Sequence, residues 1–372
     1  MKKYIYADNA ATTQLDSEAF DAMIPWLKDK YGNVSQPYSF SRVSKKALSD
    51  ARATIAECIH AEPNEIYFTS GGTESDNWAI KGSAFVDTDH RTTITSQIEH
   101  HAVLHSCAAI ERLGYPVAYL PSDENGLILT ETLIRYISDK TRLVSVMMAN
   151  NEIGTMQQIK ELAEIAHDKD AIFHTDAVQA VGHIPIDVKD LGVDMLSASA
   201  HKFNGPRGIG FLYIRNGIKL SSFMDGGAQE SKMRAGTENL AAIVGMAVAL
   251  KNNCNSLEYN INYARTLEQL LISELANSKI NFIRNGIRTL PGLISLSFPG
   301  HNGEMLLHRL DLKGVCVSTG SACNGENDEI SHVLQAIKLE DSIAQGTIRI
   351  SLGKYNTKSD IIRIVDALKS IL

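Results

Sequence analysis

The sequence predicts an α/β protein built on a largely parallel sheet, with a smaller α+β part toward its C-terminal end. Three observations lead there. Short β-rich runs alternate with amphipathic helical patterns over the first two thirds of the chain. Most of these runs are followed by a polar segment, often one containing glycine. Near Cys254 the alternation gives way to long helical stretches with a few short apolar runs between them.

In order, the strand candidates are EIYFTS (65–70), TTITSQ (92–97), VAYL (117–120), LVSVMMA (143–149), AIFHTD (171–176) and DMLSASA (194–200), with IGFLYIR (209–215) as a further one. Between them GTESDNWAIKGSAF, HAVLHSCAAIERLG and QQIKELAEIAHDKD place apolar residues on one helical face. Strands separated by helices imply a sheet covered on both sides. Further along come helical patterns at 238–251 and 263–276, the short runs LISLSF and VCVSTG, the strand candidate TIRISLG and a closing helix, IIRIVDALKSIL. A second, smaller domain is expected to begin near Cys254. No repeat or low-complexity run interrupts the pattern.

At 372 residues the chain exceeds what one hydrophobic core usually spans. Its apolar fraction of 44% is that of a globular protein, and a net charge of −7 without a basic stripe argues against nucleic acid as a partner. The five cysteines form no CxxC pair, and an odd number does not close a disulfide framework, so a reducing compartment is expected. The opening MKKYIYADNAATT reaches Asp8 before an apolar segment forms, and no long uncharged apolar run follows. A cytoplasmic protein is the expectation.

In a parallel α/β sheet ligands gather beyond the carboxyl ends of the strands. The segments there are SGGTESDN, IEHHA, NNEIGT, DAVQ and SAHKFNGP. Gly71, Gly72 and Thr73 open a helix, whose free N–H groups suit a phosphate; a helix cap with a tight turn is an equally good reading of GGTES alone. Asp176 ends an apolar strand and calls for a cationic partner, such as a protonated pyridine nitrogen. Lys202 lies one strand further on, within reach of an aldehyde. Singly, a buried ion pair or a solvated lysine is the commoner reading of each. Together the three describe pyridoxal phosphate. His101 and His105 stand one helical turn apart, but no cysteine or carboxylate set completes a metal site, so no metal is expected. The first strand is not followed by GxGxxG, and GxxxxGK[ST] does not occur.

These residues resemble a known family. The motifs YADNAATT, GN of YGNVS, FTSGGTESDNWAIKG, EHHAVL, NNEIGTMQ, HTDAVQ, SAHKFNGPRGIG, MRAGTEN, STGSACNG and IRISLG run nearly end to end. They are similar to those of the cysteine desulfurases, group I type, in the aminotransferase class V branch of the fold-type I pyridoxal-phosphate superfamily. That resemblance implies a large domain over 16–253 with a mainly parallel seven-stranded sheet. It also implies a small α+β domain over 254–372, with residues 1–15 associated with the latter.

By the same resemblance, Lys202 carries the cofactor as a Schiff base, Asp176 meets its pyridine nitrogen and His100 stacks on its ring. Asn151 and Gln179 sit near the phenolic oxygen. Gly72, Thr73, Ser199 and His201 hold the phosphate, with Thr237 contributed by a second subunit of a homodimer. Arg349 takes the substrate carboxylate, for which a planar fork suits better than lysine, with Asn33 also on the substrate side. Cys323, in the polar segment STGSACNGENDEIS, attacks the sulfur of bound L-cysteine, giving an enzyme persulfide and alanine. The other cysteines, Cys58, Cys107, Cys254 and Cys316, read as packing residues.

The persulfide would pass to an acceptor protein in iron–sulfur cluster assembly or tRNA thiolation. The alternatives are a selenocysteine lyase, another fold-type I enzyme such as an aminotransferase, or a non-enzymatic scaffold subunit. The chain differs from the family pattern at GNVSQPYSF, where a GNPS-like turn is common, and at Gln229 and Ser231, where group I members often carry His and Arg. It also stops soon after the last helical pattern, where many group I members continue into a tail that engages a scaffold protein.

Overall fold

The computed structural model describes residues 4–320 and 330–372. A short N-terminal strand, β1 (Ile5–Tyr6), precedes the seven strands expected between Glu65 and Arg215. These are β2 (Ile66–Thr69), β3 (Thr92–Ser96), β4 (Val117–Leu120), β5 (Thr141–Ser145), β6 (Ile172–Asp176), β7 (Met195–Ser199) and β8 (Gly210–Ile214). They form one sheet in the order β2-β8-β7-β6-β5-β3-β4. From β4 to β7 every neighbour pair is parallel, while β8 runs antiparallel to both β7 and β2. The connection from β7 to β8 is a tight turn through His201–Gly208, too short for a helical crossover, so the chain must come back antiparallel.

Helices cover both faces, which is why β6, β7 and β8 are buried at every position and read as near-continuous apolar runs. The run LVSVMMA yields a strand only to Ser145. Beyond it the N–H groups of Val146 and Met148 still reach the carbonyls of His174 and Asp176, at 3.1 and 2.8 Å, whereas the Met147 N–H is diverted to the Glu99 carboxylate at 2.9 Å.

The C-terminal part adds β9 (Ile283–Asn285), β10 (Leu293–Ser297), β11 (Val315–Cys316) and β12 (Thr347–Ser351). Strands β9, β10 and β12 form an antiparallel sheet with β10 central, and β11 pairs in parallel with β1. VCVSTG therefore contributes two strand residues, after which Ser318 bridges to Arg349 of β12. The two helical patterns form helices Leu240–Asn255 and Leu257–Asn277, both extending beyond the apolar windows that signalled them.

Two large apolar clusters result. One lies between the seven-stranded sheet and its helices. The other joins Ile5 and Ala7 to Leu267, Leu271, Leu296, Ile348 and Ile364 of the C-terminal part. Cys107 is fully buried, and Cys58, Cys254 and Cys316 are half-buried. Among the described residues no helix is long and apolar enough to cross a membrane.

Candidate active site

The carboxyl ends of β2, β6 and β7 open onto one cavity of about 500 Å³. Its first wall is the start of the helix Gly72–Phe85. Gly71 is the N-cap and offers no side chain to it, so the first-turn N–H groups are left for a ligand. Gly71 has φ +152°, a conformation that favours glycine, and a Cβ on Gly72 would stand 2.5 Å from Cγ2 of Val178. The approach of backbone to ligand thus depends on both glycines. Glu74, also on this wall, is paired with Arg234, whose Nε lies 2.8 Å from Oε1.

Asp176 forms the floor. It ends β6, is 6% exposed, and accepts the Val178 N–H at 2.9 Å. Burial raises its pKa to about 6, held down from a larger rise by the Val178 N–H and by the charge of Lys202. A cationic ring nitrogen is the partner that such a carboxylate lacks. On the other side, His100 caps the helix His101–Glu111 by accepting the Ala102 N–H at Nδ1, 3.1 Å away. Burial, and next the Lys202 charge, pull its pKa down to about 4, so the ring is neutral and its single proton sits on Nε2.

Lys202 closes the short turn Ala200–Lys202 directly after β7. Its ammonium donates to the carbonyls of Ala10 and Ala11. The adjoining His201 faces Thr12 at 3.2 Å and is lowered to about 4, by burial first and then by Lys202. Gln179 donates to the Ala10 carbonyl at 3.1 Å, so the N-terminal segment is pinned across the mouth.

Of the residues expected from the sequence, Gly72, Thr73, His100, Asn151, Asp176, Gln179, Ser199, His201 and Lys202 line this cavity together. Arg349 does not line it but touches its wall, donating from Nη1 to the Asn151 carbonyl at 2.8 Å. Thr237 is exposed in the single chain, beside Gly236, whose N–H reaches Gln229 at 3.2 Å. Asn33 sits in a local turn, accepting the Ser35 N–H at 2.9 Å. Cys323 lies outside the described residues.

Sequence reading missed Asp76, Met147 and Arg207, which also line the cavity. Asp76 had a signal: Gly72, Ser75, Asp76, Ala79 and Ile80 share the helical spacing of a buried face. The donor set fits pyridoxal phosphate on chemical grounds. Free N–H groups would suit its phosphate, a buried carboxylate a protonated ring nitrogen, a neutral imidazole the ring face and an amine its aldehyde.

The family model of the class-V aminotransferases matches residues 5–364. The cysteine desulfurase IscS of Dictyoglomus turgidum is 48% identical over 375 residues, covering 100% of this chain and 95% of its own. That of Methanosarcina thermophila is 47% identical, covering 100% and 92%. Among solved structures a NifS-like protein superposes with a TM-score of 0.94 at 36% identity, covering 99% of both chains. A structure described as SspA in complex with cysteine superposes at 0.85, also with 36% identity, covering 95% of this chain and 99% of its own. With its fold, its cavity and its whole length matched in this way, the chain belongs to the aminotransferase class-V family, among the pyridoxal-phosphate-dependent cysteine desulfurases.

Proposed function

We propose that the protein removes sulfur from L-cysteine, releasing L-alanine and leaving a persulfide on Cys323 for transfer to an acceptor protein. The convergence of Lys202, Asp176 and His100 on one cavity is the observation that carries this reading. Pyridoxal phosphate, when bound, supplies an electron sink that makes the Cα–H of the attached amino acid acidic.

The chain's own groups do the rest. The first-turn N–H groups at Gly72 and Thr73, with Ser199 and His201, hold the phosphate, and Thr237 of a second copy completes that site in a homodimer. Asp176 keeps the ring nitrogen protonated, and Asn151 and Gln179 orient the ring edge. Arg349 takes the substrate carboxylate, with Asn33 near the entrance. Lys202 moves the Cα proton, and His100 presents its Nε2–H to the reacting face. The Cys323 thiolate then forms an S–S bond to the substrate sulfur as the C–S bond breaks. The electron pair stays with Cβ, which takes a proton to become the methyl of alanine.

In this reading residues 16–253 are the cofactor domain, and residues 254–372 with 1–15 form the smaller domain that carries Cys323. Support comes from the apolar cluster that Ile5 and Ala7 share with the C-terminal helices. The acceptor is a protein of iron–sulfur cluster assembly or tRNA thiolation, and the enzyme works in the cytoplasm.

The test is quantitation of alanine and sulfide from L-cysteine with a reductant present. Equal amounts of the two are expected, with Lys202→Ala slower by about a thousandfold or more. Absence of alanine from the wild-type protein, or an unimpaired Lys202→Ala, would overturn the assignment.

A further inference from the structure

Residues 321–329, the stretch of sequence that contains Cys323, are flanked by Gly320 on one side and by Ile330 and Ser331 on the other. Gly320 and Ser331 meet at one side chain, that of Glu152. The Ser331 hydroxyl donates to Oε2 of Glu152 at 2.5 Å. A Cβ on Gly320 would run into that same oxygen and would stand 3.1 Å from Cβ of Ser331. Gly320 does not have a left-handed φ, so its backbone alone does not call for glycine. What it provides is room for the Glu152 carboxylate.

Burying a carboxylate opposes folding, so this one calls for a reason. Glu152 is 7% exposed, and burial raises its pKa to about 7, against the Ser331 hydrogen bond and the Arg349 charge, which lower it. Its backbone is fixed independently: Oδ1 of Asn150 accepts the N–H groups of Glu152 and Ile153, each at 2.9 Å. Asn151, in the same turn, lines the cavity, and its carbonyl accepts from Arg349 at 2.8 Å. One short turn thus borders the cavity, touches Arg349 and holds both flanks of the Cys323 segment. The C-terminal flank has further ties. The Ser331 hydroxyl caps the helix His332–Ala336 by accepting the Val333 N–H at 3.1 Å, and His332 donates from Nε2 to the carbonyl of Glu99, directly before His100, at 2.9 Å.

We propose that Glu152 is a positioning residue for the sulfur-transfer step, gathering Gly320 and Ser331 beside the Asn151 turn and so fixing the two points from which the Cys323 segment departs. This rests on the reading of Cys323 as the sulfur acceptor. The effective concentration of a tethered group depends on where its tether is attached, and attack on the substrate sulfur requires the thiol within a narrow range of positions. Loss of the anchor would leave the cofactor groups and Arg349 in place. It would lower the frequency with which the thiol meets the substrate sulfur.

The experiment compares two reactions of the pyridoxal-phosphate-loaded protein. Alanine formation from L-cysteine needs Cys323, whereas release of chloride from β-chloro-L-alanine needs the cofactor and Lys202 but no attacking thiol. Glu152→Ala and Ser331→Ala remove the anchor, and Gly320→Ala drives a methyl group against it. Each should lower kcat for alanine by about tenfold or more. Chloride release, and binding of L-cysteine read from the rapid change in cofactor absorbance on mixing, should stay within about threefold of wild type. Glu152→Gln keeps an oxygen for Ser331 and should recover most of the loss. Equal losses in both reactions would reduce the anchor to a general structural role and overturn the proposal, as would unchanged alanine formation in Ser331→Ala. If Glu152→Ala does not fold, Ser331→Ala and Gly320→Ala still decide. Failure of the acceptor reading itself would appear separately, as wild-type alanine formation by Cys323→Ser, and would remove the proposal with it.

Discussion

Arg349 is tethered to Asp8: its Nη2 donates to Oδ1 at 2.8 Å, while Nη1 donates to the Asn151 carbonyl at 2.8 Å. Its Nε, also buried, makes no hydrogen bond. The guanidinium is therefore oriented in advance, with its Nε–H uncommitted. A substrate carboxylate would meet a charge already held in place, which lowers the ordering cost of binding. Arg349→Lys keeps the charge but loses the fork. It should raise KM for L-cysteine by about 10- to 100-fold, with a smaller change in kcat. Steady-state alanine formation separates the two, and an unchanged KM would exclude Arg349 as the carboxylate site.

Cofactor uptake should titrate with Asp176. Its pKa in the apoprotein is raised to about 6 by burial, so its anion is the main form above that value and is lost below it. A pyridinium nitrogen is stabilised by the anion and not by the neutral acid. Affinity of the apoprotein for pyridoxal phosphate should therefore fall as pH is lowered through about 6. Asp176→Asn should bind weakly throughout and lack this step. Equilibrium titration across the range checks both, and a step of equal size in Asp176→Asn would assign it to the cofactor phosphate instead.

Glu99 makes the opposite kind of prediction, about stability. Burial raises its pKa from 4.5 to about 8. A carboxyl raised in the folded state favours folding fully below its unfolded value, and this contribution is lost as pH rises through the folded one. The apoprotein should accordingly melt at lower temperature near pH 9 than near pH 7, by a few degrees. Glu99→Gln retains an oxygen for Ser96 and Met147 and should show a smaller decline. An identical decline in the variant would place the effect elsewhere.

Much of this site was legible because a parallel sheet sends its functional residues to the carboxyl ends of its strands. Asp176, Lys202 and the Gly71–Gly72 turn each follow a strand that alternation and β-branched residues mark clearly. Other parts had no local signal. Strand β1 has two residues and β9 consists of IRN, with its first two positions exposed, so both depend on tertiary partners. The tether of Arg349 to Asp8 joins opposite ends of the chain, and no spacing rule links them. Asp76 was hidden by its company: within GTESDN an aspartate reads as a first-turn charge, yet helical phase turns it into the core. The role proposed for Thr237 would require a second copy of the chain, which a single sequence does not display.

The central claim is that Cys323 accepts the sulfur. The direct measurement is alanine formation from L-cysteine by Cys323→Ser beside the wild type, with the visible absorbance of the bound cofactor followed in both. Alanine formation should fall to background in the variant while the absorbance persists, because Lys202 and Asp176 still hold the cofactor. Equal alanine formation by the two proteins would contradict the account and make the cysteine incidental to the reaction.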